Sequence, residues 1–177
     1  MILNLGCGND TYGDVRVDLV KTESTTDVFD IGETLPRLSN RELGGEWAEK
    51  FDVVYEKNLL EHLPNPGEHL KAVYGVLKHG GRLELTTDNA ACLKYYTLGT
   101  HTGGYHRSHN SPNAEDRHYA LFTEEHLRNM LVWAGVWSSV KTTLVDTDYF
   151  TRHFDRVVRL FWPSLSWPRI RVVAVKE

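Results

Sequence analysis

The sequence predicts an α/β protein whose centre is a mostly parallel β-sheet. Two patterns support this prediction: short β-rich runs alternate with segments of helical periodicity, and the first run ends at a glycine-containing turn. A chain of 177 residues has room for one domain, and we expect residues 1–177 to form it. Ligands of such sheets bind beyond the carboxyl ends of the strands, so we expect the functional residues there.

Seven short runs rich in β-branched and other apolar residues are the candidate strands. They are residues 2–5, 15–19, 26–29, 51–55, 82–86, 140–145 and 170–175. Their lengths are usual for strands of globular proteins.

Three segments between these runs are candidate helices. Apolar residues recur at helical spacing over residues 70–77, and we expect Gly80-Gly81 to end that helix. Residues 89–98 are expected to form a second helix. Thr123 is typical of a helix cap and is followed by two acidic residues, so it begins a third helix, which we expect Gly135 to end.

Two further segments attract a functional interpretation. Residues 99–118 are polar and rich in histidine, glycine and asparagine, and a loop of this length is expected to be an active-site loop. Residues 149–168 are an aromatic, arginine-rich insertion between the last two strands. They fit a helix that packs on the sheet, a cap over an anionic or lipid-linked acceptor, or a surface that touches a membrane.

Composition excludes several classes of protein. The formal net charge of −4 argues against indiscriminate binding of nucleic acid or of anionic membranes. The two cysteines, Cys7 and Cys92, cannot form a disulfide framework or a four-thiolate zinc site, and we expect Cys92 on a helix face. The chain opens without the basic region of a secretion signal and contains no apolar run of membrane-spanning length. We therefore expect a cytoplasmic protein with no transmembrane segment.

The turn after the first strand is the first motif with chemical meaning. Residues 3–10 read L-N-L-G-C-G-N-D, and the two glycines allow a ligand to approach the backbone closely. Asp18, at the end of the second strand, is placed to accept hydrogen bonds from ribose hydroxyls, and Asp30 could accept from an adenine amino group. The same pattern also fits a structural turn with two solvated acids. A nicotinamide dinucleotide site is disfavoured because no G-x-G-x-x-G opens a helix here.

A longer series of motifs carries a family resemblance. After the turn come V-D-L at residue 17, D-I-G-E-T-L-P at residue 30 and F-D-V-V-Y-E-K-N-L-L-E-H-L at residue 51. In this order they resemble the class I S-adenosylmethionine-dependent methyltransferases, in particular the short type 11, or methyltransferase-domain, subgroup. The resemblance extends from residue 2 to about residue 145. It implies a Rossmann-like fold with a seven-stranded sheet that ends in an antiparallel hairpin.

The resemblance also implies S-adenosyl-L-methionine as cofactor, with S-adenosyl-L-homocysteine as product. Asp18 would hold the ribose, Leu19 would pack on the adenine, and the glycine turn would lie against the methionine half. The full set of implied cofactor contacts is Gly6, Cys7, Gly8, Asn9, Asp18, Leu19, Asp30, Ile31, Glu56 and Asn58.

Catalysis of methyl transfer depends on aligning the nucleophile, and a hydroxyl acceptor also benefits from a base. Histidine is the natural base near neutral pH, and several histidines lie in or beside the long loop. We expect His106 or His118 to act, with Asp88, at the end of the fifth strand, as the rival. Each loop histidine also fits a solvated surface residue.

Glu61-His62 suggests a metal site in some relatives. The ubiquinone-pathway O-methyltransferases and the small-RNA 3′-end methyltransferases carry E-x-x-E-H at this place and bind magnesium with it. Here Asn58 replaces the first acid, which weakens binding of a hard cation. We therefore expect no metal and keep Glu61 and His62 as weak candidates, which could equally stabilise the turn before Pro64.

Two departures from the family pattern concern the sheet. Residues 9–14 leave no room for the usual helix after the first strand, and the usual helices before that strand are lacking. One sheet face is therefore expected to lack cover. We expect residues 149–168 or a second subunit to cover it, which makes a homo-oligomer a candidate.

The resulting functional prediction is a methyltransferase that acts on an oxygen or nitrogen of a small-molecule or glycan-type acceptor, with nucleic acid disfavoured. Two alternatives stay open. One is a catalytically inactive subunit that binds S-adenosylmethionine or a nucleoside. The other is a magnesium-assisted RNA-end methyltransferase.

Overall fold

The computed structural model describes residues 1–92, 118–145 and 161–177. The strands in this part of the chain are β1 (Ile2–Leu5), β2 (Val15–Asp18), β3 (Asp27–Val28), β4 (Phe51–Lys57), β5 (Leu77–Asp88), β6 (Trp137–Val145) and β7 (Arg169–Lys176). The α-helices are α1 (Ile31–Ser39), α2 (Pro66–Val76), α3 (Glu124–Ala134) and α4 (Pro163–Ser166). Two 3-10 helices span Arg41–Leu43 and Leu60–His62.

The seven strands form one sheet in the order β3-β2-β1-β4-β5-β7-β6. The strands from β3 to β5 run parallel, whereas β7 is antiparallel to both β5 and β6. This confirms the predicted fold class, including the antiparallel closing pair. Because β7 runs backwards, its first residue, Arg169, lies opposite Asp88 at the carboxyl end of β5.

The core lies on one face of this sheet. Helices α1, α2 and α3 pack side by side, α2 in the middle, and bury their apolar stripes against the strands. The central strands contribute fully buried residues such as Leu3, Leu5 and Val54 to this face. A sheet with helices on one face and alternating side chains then presents its other side chains to the opposite face.

The opposite face is mixed over the described strands: polar and charged side chains lie beside apolar ones, and Val53 on this face is 4% exposed. Glu84 lies at its centre and forms ion pairs with Arg82 at 2.7 Å and with Arg171 at 3.2 Å. On the neighbouring strand, Tyr55 is in register with Glu84. The expected cover by residues 149–168 or by a second subunit stays a prediction, because residues 149–160 lie outside the described part of the chain.

The short connection between β1 and β2 takes the place of a helix. Its Tyr12 ring packs edge-on against Tyr55, with ring centroids 5.0 Å apart. The Asn4 amide donates to the Tyr12 carbonyl oxygen at 3.0 Å, which holds the loop against this face of the sheet. The prediction that residues 9–14 leave no room for a helix is therefore confirmed.

Two element boundaries differ from the prediction. Helix α2 ends at Val76, not at Gly80-Gly81, because Leu77 is extended and pairs with Phe51. The two glycines instead lie in β5, where its pairing register with β4 shifts between Phe51 and Val53. Gly80 has a φ of +73° there, which a glycine adopts readily.

The helix expected over residues 89–98 does not begin where predicted. Asn89 forms a β-bridge with Phe122, and its side-chain amide donates to Ser164 and Trp167 carbonyl oxygens at 2.8 Å. These long-range contacts keep residues 89–92 out of a helix, so Cys92 is buried but not on a helix face. Residues 93–98 lie outside the described residues.

Helix α1 was not foreseen, because Gly32 and Pro36 obscure its periodicity. Its cap is Asp30, whose carboxylate accepts the Glu33 N–H. Helix α3 begins as predicted, since the Thr123 hydroxyl accepts the His126 N–H. In the described residues, no helix combines the length and apolar character that crossing a membrane requires.

Candidate functional site

A cavity of about 420 Å³ opens at the carboxyl ends of β1, β2 and β4, where sheets of this kind bind ligands. Its lining consists of Gly6, Asp18, Leu19, Asp30, Ile31, Asn58, Leu59, His62, Leu63, Pro64 and Tyr119. Six of these residues are among the cofactor contacts predicted from the sequence: Gly6, Asp18, Leu19, Asp30, Ile31 and Asn58.

Gly6 lets the chain turn at the floor of the cavity. Its φ is +67°, a conformation that L-residues with a side chain rarely adopt. A Cβ atom at this position would lie 3.1 Å from Leu59 Cδ1. A side chain here would therefore strain the turn and displace Leu59, which itself lines the cavity.

Asp18 is held by the backbone around it. Its Oδ2 accepts the Gly8 N–H at 2.8 Å, and its Oδ1 accepts the Val20 N–H at 3.1 Å. These two bonds fix the carboxylate at the end of β2. Each carboxylate oxygen can accept a further hydrogen bond, so Asp18 remains able to bind hydroxyl groups of a ligand.

The rest of the glycine turn supports the site from behind. The Thr22 and Ser24 hydroxyls donate to the Gly8 and Asn9 carbonyl oxygens at 2.7 Å and 2.9 Å. Cys7 is buried, and this burial, reinforced by Asp18, raises the pKa of its thiol. Cys7, Gly8 and Asn9 are absent from the cavity lining, and direct cofactor contact by them stays a prediction.

Apolar side chains flank the opening near the second and third strands. Leu19 is 47% exposed although it is a large apolar residue, and it lies directly after Asp18. Ile31, the first residue of α1, is buried on the cavity wall. A flat apolar group of a ligand can pack between such side chains, next to the polar Asp30.

Asn58 lines the cavity, and its side chain carries a buried hydrogen-bond acceptor. Its Oδ1 is buried and has no hydrogen-bond partner among the described residues. Its φ is +53°, and its backbone N–H donates to the Thr86 carbonyl oxygen at 2.8 Å. A buried acceptor without a partner costs free energy, so a ligand that donates an N–H to Asn58 would be favoured.

Glu56 points elsewhere. Its carboxyl group is fully buried and lies 2.8 Å from the His69 Nε2 of α2. The side chain therefore faces the helical layer, and Glu56 does not line the cavity. Its predicted contact with the cofactor stays a prediction, and the geometry leaves it only a backbone route.

Beside the cavity lies a cluster of titratable residues from distant parts of the chain. The His62 and His118 rings are in edge contact, with centroids 4.4 Å apart. The Asp88 carboxylate lies 3.7 Å from the His118 Nδ1 and 3.9 Å from the Arg169 Nε. Two of the predicted catalytic residues, His118 and Asp88, thus lie together, whereas His106 is outside the described residues.

Glu61 belongs to the same cluster but is closed off from the cavity. Its side chain is buried, and one carboxylate oxygen accepts the Thr87 hydroxyl at 2.7 Å. Burial raises the pKa of Glu61 to about 7, and the Thr87 hydrogen bond partly opposes this rise. The Glu61 carboxyl group is therefore half protonated near neutral pH.

This donor set does not fit a divalent cation. Glu61 is buried against Thr87, and Asn58 carries no charge. In the parts of the chain that the structure describes, no three histidine, cysteine or acidic side chains are placed to hold a metal ion. We therefore derive no step through a metal.

Sequence reasoning missed part of the site. Tyr119 and Leu59 line the cavity, and Arg169 joins the cluster of titratable residues, yet none of them was singled out as a candidate site residue. For His62 the sequence suggested a weak metal ligand or a residue that stabilises the turn before Pro64, and not a base. The position of Arg169 follows from the antiparallel register of β7 against β5, which local patterns do not reveal.

Comparison with known proteins agrees with this geometry. A family model described as a methyltransferase domain matches residues 2–136. The ubiquinone biosynthesis O-methyltransferase of Pseudomonas entomophila strain L48 is 26% identical in an alignment of 102 residues, and the match covers 50% of this chain and 44% of that protein. The chain thus spans less than half of the length of this curated relative.

Solved structures are similar over nearly the whole chain. An S-adenosylmethionine-dependent methyltransferase from Archaeoglobus fulgidus has a TM-score of 0.65 at 18% identity, over 99% of this chain and 85% of that one. Phosphoethanolamine N-methyltransferase 2 of Haemonchus contortus, in complex with S-adenosyl-L-methionine, has a TM-score of 0.59 at 16% identity, over 99% and 48%. At these identities the likeness establishes the fold.

Proposed function

The chain belongs to the methyltransferase-domain family of S-adenosylmethionine-dependent enzymes, and we propose that it transfers a methyl group to an oxygen or nitrogen atom of a small-molecule or glycan-type acceptor. The observation that carries the proposal is the cavity that brings Gly6, Asp18 and Asn58 together at the carboxyl edge of the sheet. S-adenosylmethionine supplies an electrophilic methyl group on a sulfonium and leaves as S-adenosylhomocysteine.

The residues of the cavity fit this cofactor. The carboxylate of Asp18, which two backbone N–H groups hold in place, can accept hydrogen bonds from the ribose hydroxyls. Leu19 and Ile31 can enclose the adenine. The Oδ1 of Asn58 has no hydrogen-bond partner among the described residues. It can accept a hydrogen bond from the α-ammonium group of the methionyl part, which would satisfy this buried acceptor. The turn at Gly6 leaves the backbone accessible, because no side chain occupies that position.

The cluster beside the cavity supports an acceptor that gives up a proton. A hydroxyl or a protonated amine must lose a proton when it is methylated, and a positioned imidazole or carboxylate can take it. His62, His118 and Asp88 provide such groups, with the His118 ring against that of His62 and its Nδ1 3.7 Å from Asp88. The negative net charge of −4 favours a small acceptor over a long polyanion.

The first test is calorimetric titration with S-adenosylmethionine and S-adenosylhomocysteine. We expect micromolar binding by the wild-type protein, weakened about tenfold or more in Asp18→Ala, because a charged hydrogen-bond acceptor is lost. Asp27→Ala is the matched control, since Asp27 is an exposed acid on the neighbouring strand. Absence of binding by folded wild-type protein would overturn the proposal.

The second test is a panel of acceptors, with S-adenosylhomocysteine formation as readout. Sugars, nucleosides, phenols and primary amines form the panel, and short RNA oligonucleotides are added with and without magnesium. Turnover of a small molecule supports the proposal. Cofactor binding without turnover of any small molecule, or turnover of RNA alone, contradicts it.

A further inference from the structure

His62 and His118 form a pair at the wall of the cavity. His62 belongs to the 3-10 helix after β4 and lines the cavity, whereas His118 lies behind it. Their rings meet edge to face, with centroids 4.4 Å apart and an interplanar angle of 80°. Behind His118 lies Asp88, whose Oδ2 is 3.7 Å from the His118 Nδ1. The order from the cavity inwards is therefore His62, His118, Asp88.

Backbone contacts hold the pair in place. The Tyr119 N–H donates to the Glu61 carbonyl oxygen at 2.8 Å, which ties the residue after His118 to the residue before His62. The Glu61 carboxyl group is bound in turn by the Thr87 hydroxyl of β5. The two imidazoles are thus attached to the same rigid edge of the sheet, as an acid–base site requires.

We propose that, in the methyl transfer proposed above, His62 is the catalytic residue that takes the acceptor's proton and that His118, held by Asp88, positions His62. The acceptor hydroxyl or amine gives its proton to a neutral imidazole nitrogen of His62. The acceptor atom forms a bond to the methyl carbon, and the electrons of the broken carbon–sulfur bond remain on sulfur. One positive charge thereby passes from the sulfonium to the imidazole pair, where the Asp88 carboxylate opposes it.

The other titratable groups of the cluster are less suited to this role. His118 does not line the cavity, and its Nδ1 already faces Asp88. Glu61 is 1% exposed and is bound by Thr87. Arg169 faces Asp88, and a guanidinium group only donates hydrogen bonds, so Arg169 can balance charge but cannot act as a base.

The first experiment uses nitrogen-15 imidazole spectra with S-adenosylhomocysteine as the ligand. We expect the neutral His118 ring to be in the Nδ1–H tautomer, because that nitrogen faces Asp88. In Asp88→Asn we expect a mixture of the Nδ1–H and Nε2–H tautomers. Addition of S-adenosylhomocysteine is expected to shift the His62 signals. His126, exposed on α3, is the control that neither change affects.

Two outcomes would overturn the proposal even if the cofactor binds normally. One is a His118 tautomer that is identical in wild-type protein and Asp88→Asn. The other is a His62 spectrum that does not respond to S-adenosylhomocysteine. Absence of S-adenosylhomocysteine binding itself would contradict the proposed function instead, so the two failures are distinguishable.

The second experiment separates proton transfer from binding. With an acceptor from the panel, His62→Gln is expected to lower kcat by roughly 100-fold or more, the usual contribution of a general base. Its Kd for S-adenosylmethionine and its KM for the acceptor should change by less than about threefold. His118→Gln should lower kcat less than His62→Gln does. His118→Asn should retain a higher kcat than His118→Gln, since the asparagine amide also reaches towards Asp88. A kcat of His62→Gln equal to that of His126→Gln would overturn the proposal.

Discussion

The carboxyl group of Glu56 and the imidazole of His69 lie 2.8 Å apart in the interior, where β4 meets α2. Both side chains are almost completely excluded from solvent, and Glu56 Oε2 and His69 Nδ1 have no hydrogen-bond partner among the described residues. The pair joins the strand that leads to the cavity to the middle helix of the layer. Its partners depend on each other, because either group alone would be buried without compensation.

We expect His69→Ala to lower the free energy of unfolding by about 3–5 kcal/mol, since it leaves a buried carboxyl group without its partner. The double variant Glu56→Leu/His69→Leu should recover much of this loss. Urea denaturation measures both. The exposed pair of Arg41 and Glu49 is the control, and Arg41→Ala should cost less than about 1 kcal/mol. Equal losses in the single and double variants would contradict the interdependence of the pair.

Glu61 makes stability depend on pH. Burial raises its pKa from 4.5 to about 7 in the folded protein, so between these values the native state binds a proton that the unfolded state releases. Stability from this group is therefore fully present below pH 4.5 and is lost as the pH rises towards 7. The whole loss is on the order of 3 kcal/mol.

The variant Glu61→Gln should abolish this dependence, because the amide cannot ionise but can still accept the Thr87 hydrogen bond. As the pH rises from acidic to neutral, we expect the wild type to lose free energy of unfolding relative to Glu61→Gln. Denaturation at a series of pH values measures it. Glu125→Gln, an exposed position on α3, should not change the slope. A parallel pH profile for Glu61→Gln and wild type would contradict the assignment.

Comparison with Gly44 distinguishes the backbone strain of a substitution at Gly6 from its steric contact with Leu59. Both have positive φ, +67° and +72°, so alanine should strain either turn by about 1–2 kcal/mol. Only at Gly6 does the added Cβ meet Leu59, whereas nothing lies within 4 Å at Gly44. We expect Gly6→Ala to weaken S-adenosylhomocysteine binding at least tenfold in calorimetry and Gly44→Ala to leave it unchanged. Equal affinities of the two variants would exclude a close approach at Gly6.

Asn58 allows a test of the unpartnered acceptor. Asn58→Gly removes Oδ1 and suits a φ of +53°, so the fold should be as stable as wild type or slightly more so. Cofactor affinity should fall by about 1.5–3 kcal/mol, the value of a hydrogen bond to a charged group. Glu49→Gly, at the other described non-glycine residue with positive φ, is the control for binding. Unchanged affinity of Asn58→Gly would mean that Oδ1 does not contact the cofactor.

Local sequence patterns predicted much of the fold. The apolar runs locate all seven strands, and the cap at Thr123 locates the start of α3, because strand alternation and capping depend on neighbouring residues. The turn at Gly6 and the acid at Asp18 are likewise visible in the chain. Together with the family motifs they were sufficient to predict the class of protein and its cofactor.

Boundaries and side-chain directions depended on distant partners. Leu77 fits either the end of α2 or the start of β5, and its pairing with Phe51 decides for the strand. Strand alternation turns Glu56 towards the helical layer, but its partner there, His69, is supplied by α2. Such boundaries and contacts depend on residues that are distant in sequence, and local propensity does not include the effect of those residues.

The sequence by itself determined the order of the strands along the chain, the cofactor turn and the family, because each rests on residues a few positions apart. Only the tertiary structure decided that His62 meets His118 beside the cavity and that Arg169 faces Asp88. These contacts require the parallel and antiparallel registers of β4, β5 and β7 to bring separate segments to one edge of the sheet. The proposed proton-accepting side of the site depends on that edge, and no single segment of the chain contains it.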